Sequence, residues 1–293
     1  MSSKQSLYKV DGKNLYYSDF VNALKKAGVS KGDTIFVHSS VSAFGKLSTF
    51  DTAFLLQSLT NSLKESIGDK GTIIMPAFSY SFLKNEPYDT ANSKSKVGAL
   101  TEYFRKQPGV SRTIHPNHSA AIWGRHKSEL LSIGKDTFDK DSIFGKLHKL
   151  NGKIVFFGAP FQSCTYVHYI EQMHKVPYRY MKKFRGKIID GNKEYQEEFT
   201  FYVKYAIFFT LLSQLEKHLI EKKLMKEVKL GSGKILVIGA DALFKEGQKL
   251  LSRDIFFFLK NEPRIFRIFN NVSCFFLKRE LKIFKLLNDF ASK

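Results

Sequence analysis

The chain has 293 residues, with 47 Lys+Arg against 27 Asp+Glu and a formal net charge of +20. A hydrophobic share of 43 % with 28 Phe and 13 Tyr supplies a buried core and excludes wholesale disorder. Two cysteines, Cys164 and Cys274, cannot build a disulfide framework, the start has no signal-peptide apolar stretch, and no apolar run nears the ~18–20 residues of a membrane span. A soluble, cytoplasmic protein is expected.

Helix and strand signals alternate along the chain. Ser18 can cap a helix through Lys26, with Phe20, Val21 and Leu24 on one face and Gly28 as its stop. TIFVH (Thr34–His38) reads as a buried strand that runs into the loop HSSVSAFGKLS. A helix follows from Asp51 to Leu63, then the strand GTIIMPAF (Gly71–Phe78), closed by Pro76. Gly98 to Lys106 is helical in pattern, SAAIW (Ser119–Trp123) strand-like, and KIVFFG (Lys153–Gly158) a further buried strand. A helix is expected over Tyr166–His174, then KIID and EFTFYV as antiparallel strands. Tyr205–Lys222 reads as a long amphipathic helix, KILVIG (Lys234–Gly239) as an apolar strand, and Asp241–Leu251 as a helix.

This order argues for an α/β fold with layered helices around a mixed, largely parallel central sheet. No Gly/Ser/Pro-rich linker interrupts it, so one domain is expected over residues 1–263. Residues 264–293 form a separate basic extension with seven basic and two acidic side chains. There Leu277, Leu281, Phe284 and Leu287 fall at helical spacing among Lys278, Arg279, Lys282 and Lys285. That helix reads as a peripheral contact to an anionic membrane, or as packing on its own domain or across a homodimer.

Surplus positive charge attracts anions: nucleic acid, anionic membrane or phosphorylated small molecules. One cluster stands out, Lys175, Arg179, Lys182, Lys183, Arg185 and Lys187, with no acid among them. GSGK (Gly231–Lys234) lacks the strand before it and the Ser/Thr after Lys234 that a phosphate loop needs, and reads as a turn. No Cys/His spacing suggests a metal site.

Of eight histidines, His38 ends a buried strand where α/β folds place ligands. His115 and His118 lie in RTIHPNHS, a loop fixed by Pro116, and His168 lies in TYVHYIE. Glu171, three residues after His168, shares its helical face. A carboxylate so placed fixes the imidazole tautomer and supports the imidazolium, the equipment of a general base. Read alone, H-x-x-E equally describes a surface ion pair.

The ordered series VHSSVSAFGKLS (Val37–Ser48), GTIIMPAFSYSF (Gly71–Phe82), KVGALTEYFRKQPGVSRTIHPNHSAAIWG (Lys96–Gly124), DSIFGKL (Asp141–Leu147) and FFGAPFQSCTYVHYIEQ (Phe156–Gln172) resembles the aminoglycoside 3-N-acetyltransferase family. The resemblance runs from about Leu15 to Pro263. It implies that family's own α/β fold, and acetyl transfer from acetyl-CoA to a sugar amine without a metal or nucleic acid. By the motif T-x-x-H-x-x-E, it makes His168 the general base and Glu171 its orienting carboxylate. It places acetyl-CoA against His38, Ser39, Ser40 and Ser42, with Arg112, His115 and Ser119 either shaping the site floor or touching the co-substrate, or serving a purely structural role. Tyr80, Arg179 and Lys182 are the candidate acceptor contacts.

Three features depart from the family's pattern, and the third bears on the acceptor. DSIFGKL lacks the proline that usually follows its serine in this family, and the last thirty residues extend past the family's usual end. A +20 chain is also ill-matched to a polycationic drug. The sequence therefore favours an amino sugar of surface-glycan or nucleotide-sugar biosynthesis. Aminoglycoside resistance stands as the alternative, and a non-catalytic CoA- or glycan-binding module as a third.

Overall fold

The computed structural model describes residues 5–260. The extension expected over residues 264–293 lies outside the described residues. The chain opens with strands β1 (Tyr8–Val10) and β2 (Lys13–Leu15), helix α1 (Tyr17–Lys26) and strand β3 (Thr34–Ser39). Next come β4 (Lys46–Leu47), α2 (Thr52–Ile67), β5 (Thr72–Pro76), β6 (Tyr88–Asp89), α3 (Ala99–Phe104), β7 (Ser111–Arg112) and β8 (Ala120–Gly124). Helices α4 (Lys127–Leu131) and α5 (Ile143–Lys149) lead to β9 (Lys153–Phe157) and α6 (Tyr166–His174). The last part holds β10 (Arg179–Asp190), β11 (Lys193–Lys204), α7 (Ser213–Glu221), β12 (Met225–Leu230), β13 (Gly233–Gly239) and α8 (Ala240–Arg253).

Seven strands form the central sheet in the order β12-β13-β9-β3-β5-β8-β7. Strand β3 lies parallel to both β9 and β5, with Val37 opposite Val155 and Ile35 opposite Ile73. The other neighbours are antiparallel. Parallel pairing is thus confined to three central strands, narrower than the expected largely parallel sheet. The sequence gives no hint that β13 returns beside β9 instead of crossing over.

Side chains alternate across the sheet. Phe36, Ile74, Ile154 and Phe156 pack with α5, α6 and α8 on one face. Ile35, Val37, Ile73, Val155 and Phe157 pack with α1, α2 and α3 on the other. Helices on both sides explain why β3 and β9 are continuous apolar runs.

Local signals set several boundaries. The Asp51 carboxylate accepts the Phe54 amide and caps α2. The cap of α1 sits two residues before the expected Ser18: the Tyr16 amide donates to Asp19. GSGK is the turn of the β12–β13 hairpin.

The expected helix over Tyr205–Lys222 is half wrong, since α7 begins at Ser213. The preceding apolar stretch drops Tyr205, Phe208 and Leu212 into the core. Its backbone pairs with the chain after α8, Leu211 N–H donating to Phe258 O and Lys260 N–H to Phe209 O. Among the described residues, no helix is long and apolar enough to cross a membrane.

Candidate active site

Helix α6 follows β9 through Pro160 and a single helical turn, Phe161–Ser163. Tyr166, Val167 and Ile170 anchor it in the core. His168 and Glu171, three residues apart, share another face, and His168 Nδ1 lies 2.7 Å from Glu171 Oε2. The Glu171 side chain is fully buried, whereas 24 % of the His168 side chain is exposed. The imidazole therefore has an edge that a substrate can reach.

The helix ends on Lys175, whose φ of 59° turns the chain back. That reversal brings Tyr178 and Arg179 alongside Glu171. Tyr178 OH donates to Glu171 Oε1 at 3.0 Å. Arg179 Nε lies 2.8 Å from Glu171 Oε2, and Arg179 Nη1 donates to the Tyr202 carbonyl at 3.0 Å. Arg179 Nη2 lies 2.8 Å from His168 Nδ1. On the far side, the Phe138 ring stands edge-on to His168 at 5.3 Å. Its loop is tied to α6 where Gln172 Nε2 donates to Asp136 Oδ1.

Burial pushes the Glu171 carboxyl upward. The Arg179 charge and the hydrogen bonds from His168 and Tyr178 outweigh it and hold the group below the usual carboxylate range. His168 is lowered by burial and then by Arg179, against the opposing pull of Glu171. The neutral imidazole is thereby favoured, the form able to take a proton.

Two clefts adjoin this cluster. One, of about 230 Å³, is lined by His168 with Gln162, Ser163, Thr165 and Thr210. The other, of about 300 Å³, is lined by His38, Ser39, Ser40, Phe78, Tyr80 and Pro160, among others. Ser163 and Thr165 line both. No carboxylate lines either cleft among the described residues.

Four sequence candidates thus lie on the second cleft: His38, Ser39, Ser40 and Tyr80. His38 stacks on Phe156 at 5.4 Å, and burial pushes its pKa down to about 3. Its Nε2 and the Ser39 hydroxyl have no hydrogen-bond partner, so this wall holds unspent polar capacity of the kind a pantetheine amide uses. Tyr80 adopts a left-handed backbone with φ 57°, a strained state that persists only where surroundings enforce it. Ser42 is exposed on the turn Val41–Phe44 and does not line the cleft.

The other candidates need correction. Arg112 does not line a cleft: it donates to Ser119 Oγ and to the carbonyls of Thr90, Ser93 and Ala77. Ser119 Oγ donates to Ala77 O at 2.6 Å, so the pair clamps loops together with four of the five guanidinium N–H groups engaged. His115 is 2 % exposed. Its Nδ1 accepts the His118 amide, and its Nε2 lies 3.2 Å from Thr137 Oγ1. That hydroxyl already donates to Thr200 O, so His115 Nε2 is the donor and the ring is neutral and structural.

Arg179, expected to meet the acceptor, is buried against Glu171. Lys182 sits over the Phe184 ring and lines neither cleft. Two of the six residues of the basic run are answered across the β10–β11 hairpin, where Lys183 meets Glu198 and Lys187 meets Glu194. Sequence reasoning missed Gln172 and Tyr178, four and ten residues after His168. The only clue was their closeness to H-x-x-E.

A family model described as aminoglycoside 3-N-acetyltransferase matches residues 36–252, well over half the chain. The chain belongs to the aminoglycoside 3-N-acetyltransferase family. That makes it an acyltransferase with acetyl-CoA as co-substrate, transferring acetyl to the amine of an amino sugar.

Among the relatives of this family, aminoglycoside N(3)-acetyltransferase IV of Salmonella is 26 % identical over 250 residues, 83 % of this chain and 89 % of that protein. The SPbeta prophage-derived aminoglycoside N(3')-acetyltransferase-like protein YokD of Bacillus subtilis is 28 % identical over 204 residues, 59 % of this chain and 72 % of that one. Solved structures share the fold. The apoenzyme of aminoglycoside acetyltransferase AAC(3)-IVa superposes with a TM-score of 0.71 at 24 % identity, covering 90 % of this chain and 95 % of that one. AAC-IIIb in a binary complex with CoASH gives 0.71 at 19 % identity, covering 84 % and 98 %.

Proposed function

We propose that this protein acetylates an aminoglycoside, with His168 as the general base and Glu171 as the carboxylate that fixes its tautomer. The observation that carries the reading is the 2.7 Å His168–Glu171 pair, buried on the Glu side and open on the His side, at the wall of a cleft. In the reaction a sugar ammonium first loses a proton, since only the free amine is a nucleophile. With Nδ1–H donated to Glu171, the imidazole has Nε2 bare to accept that proton. The amine attacks the thioester carbonyl, the C–N bond forms and the C–S bond breaks. The thiolate leaves with the proton that His168 gives back, and the extra proton of the newly bonded nitrogen passes to solvent, leaving a neutral amide and a free thiol.

The cleft beside Ser39, Ser40, Phe78 and Pro160 suits the pantetheine arm, since it mixes apolar side chains with the polar groups of His38–Ser40 and of Ser163 and Thr165. Backbone N–H groups after Val37 are the candidate donors to the oxyanion.

The named relatives favour an aminoglycoside over the glycan precursor that the sequence preferred. Pairing of Lys183, Lys187 and Arg179 with acids also removes much of the case for an anionic acceptor. One observation supports the glycan or nucleotide-sugar reading: neither cleft has a carboxylate lining to answer several ammonium groups. Acetyl-CoA with gentamicin, sisomicin or apramycin, and separately with nucleotide-linked amino sugars, decides by release of free thiol. Turnover of the drugs is expected. Turnover confined to the nucleotide sugars transfers the proposal to the second reading, and none with either overturns both.

A further inference from the structure

The His168 Nδ1 atom has two neighbours that make opposite demands. Glu171 Oε2, at 2.7 Å, requires Nδ1 to carry a hydrogen. Arg179 Nη2, at 2.8 Å, is itself a donor and pairs with Nδ1 only when that nitrogen is bare. The first arrangement leaves Nε2 bare and able to take a proton. The second puts the hydrogen on Nε2 and blocks it. We infer that Arg179 is the positioning residue that holds the His168–Glu171 pair in its base-competent proton state, a proposal that rests on His168 being the base.

The competent form of the pair, a neutral imidazole beside a carboxylate, carries one net negative charge. Glu171 is fully buried, and a lone buried anion is costly. Without a counter-charge, the pair retains a proton, on the imidazole or on the carboxyl, and the two groups titrate as one unit. Either placement leaves the site without a working base.

Arg179 supplies the counter-charge. Its side chain is 3 % exposed, its Nε lies 2.8 Å from Glu171 Oε2 in an ion pair without a hydrogen bond, and its Nη1 is anchored on the Tyr202 carbonyl. The remaining groups facing the pair come from other elements. Tyr178, ahead of β10, donates to Glu171 Oε1. Lys204, at the end of β11, acts on His168 through charge, and His118, in the loop before β8, is held neutral by burial. Arg179 touches both members of the pair. The Arg179 charge keeps Glu171 ionised, and an ionised carboxylate can accept the Nδ1 hydrogen.

The test is the pH dependence of kcat/KM on the full-length protein, with acetyl-CoA and gentamicin, for wild type, Arg179→Gln, Arg179→Lys and His168→Ala. A charge within ~4–6 Å shifts a pKa by roughly 1–3 units. The acid limb of Arg179→Gln is therefore expected to move up by about one unit or more, and Arg179→Lys to return it toward wild type at reduced kcat. An unmoved limb in Arg179→Gln, with the limb abolished in His168→Ala, overturns this inference and leaves the base reading intact. Wild-type rates in His168→Ala overturn the base reading itself. A second readout does not depend on turnover or on folding of the variants: nitrogen-15 NMR of histidine-labelled wild type at neutral pH. Hydrogen on Nδ1 with a bare Nε2 is expected at His168, and the opposite tautomer or an imidazolium overturns the proposal.

Discussion

Lowering the pH from 7 to 5 is expected to destabilise the fold through its buried histidines. His38 is 5 % exposed and His115 2 % exposed, and burial pushes each pKa down to about 3. In the unfolded chain each titrates near 6.5. Between pH 6.5 and 3 the unfolded state therefore binds more protons than the folded one, and stability falls as pH falls. At pH 5 the unfolded state gains about 2 kcal/mol per histidine, from 1.5 units below its pKa at ~1.4 kcal/mol each. His118, also pushed well down by burial, adds in the same sense.

Asp139 opposes this trend. Burial and the neighbouring Asp136 raise it to about 6, so it favours the folded state as pH falls from 6 toward 4. Its carboxyl is only half-buried, and after solvent screening its contribution is about 1 kcal/mol. The net loss from His38 and His115 alone is then about 3 kcal/mol, a large part of the ~5–15 kcal/mol that stabilises a domain. Urea unfolding at both pH values, followed through the single tryptophan, Trp123, measures it. His38→Phe, which keeps the stacking on Phe156, is expected to reduce the pH dependence by about 2 kcal/mol. Equal stability at pH 5 and 7 would show these rings to be charged in the fold and refute the reasoning.

Further outcomes are expected. Glu171→Gln leaves Arg179 buried beside a neutral partner, a loss of about 3–5 kcal/mol, seen as a lowered thermal midpoint. Gly158→Ala places a Cβ at φ 75° and 2.5 Å from the Ser40 carbonyl. It is expected to displace the loop on the second cleft and raise the KM for acetyl-CoA more than that for the acceptor. Arg112→Met removes four hydrogen bonds from the clamp on Ala77, Thr90, Ser93 and Ser119. Its expected signature is a lower melting temperature, with the KM for acetyl-CoA unchanged in the protein that remains folded.

Helix α6 was legible to its ends because Tyr166–His174 combines an apolar stripe with a clean stop, and β3, β5, β9 and β13 because they are apolar runs. The Tyr205–Leu212 stretch misled because aromatic density there reflects core insertion, which periodicity does not separate from a helix. His168 and Glu171 could be paired from spacing alone, since three residues on a helix share a face. Arg179 could not be placed, because its role depends on the reversal at Lys175 that brings the first residue of β10 back beside Glu171. The basic cluster misled for the same reason: its acids lie across a hairpin, out of sight of a linear count. Arg112 and His115 looked like ligand contacts, since polar residues in a motif look alike whether they bind substrate or clamp a loop. Their hydrogen bonds separate the two.

The most direct test of the account is His168→Ala in a thiol-release assay with acetyl-CoA and gentamicin, alongside calorimetric binding of CoA. The account predicts that kcat falls by about 10²–10⁴-fold, the range for a positioned acid–base group, while CoA affinity and the thermal midpoint stay near wild type. A kcat within a few-fold of wild type would contradict it and remove His168 from the chemistry.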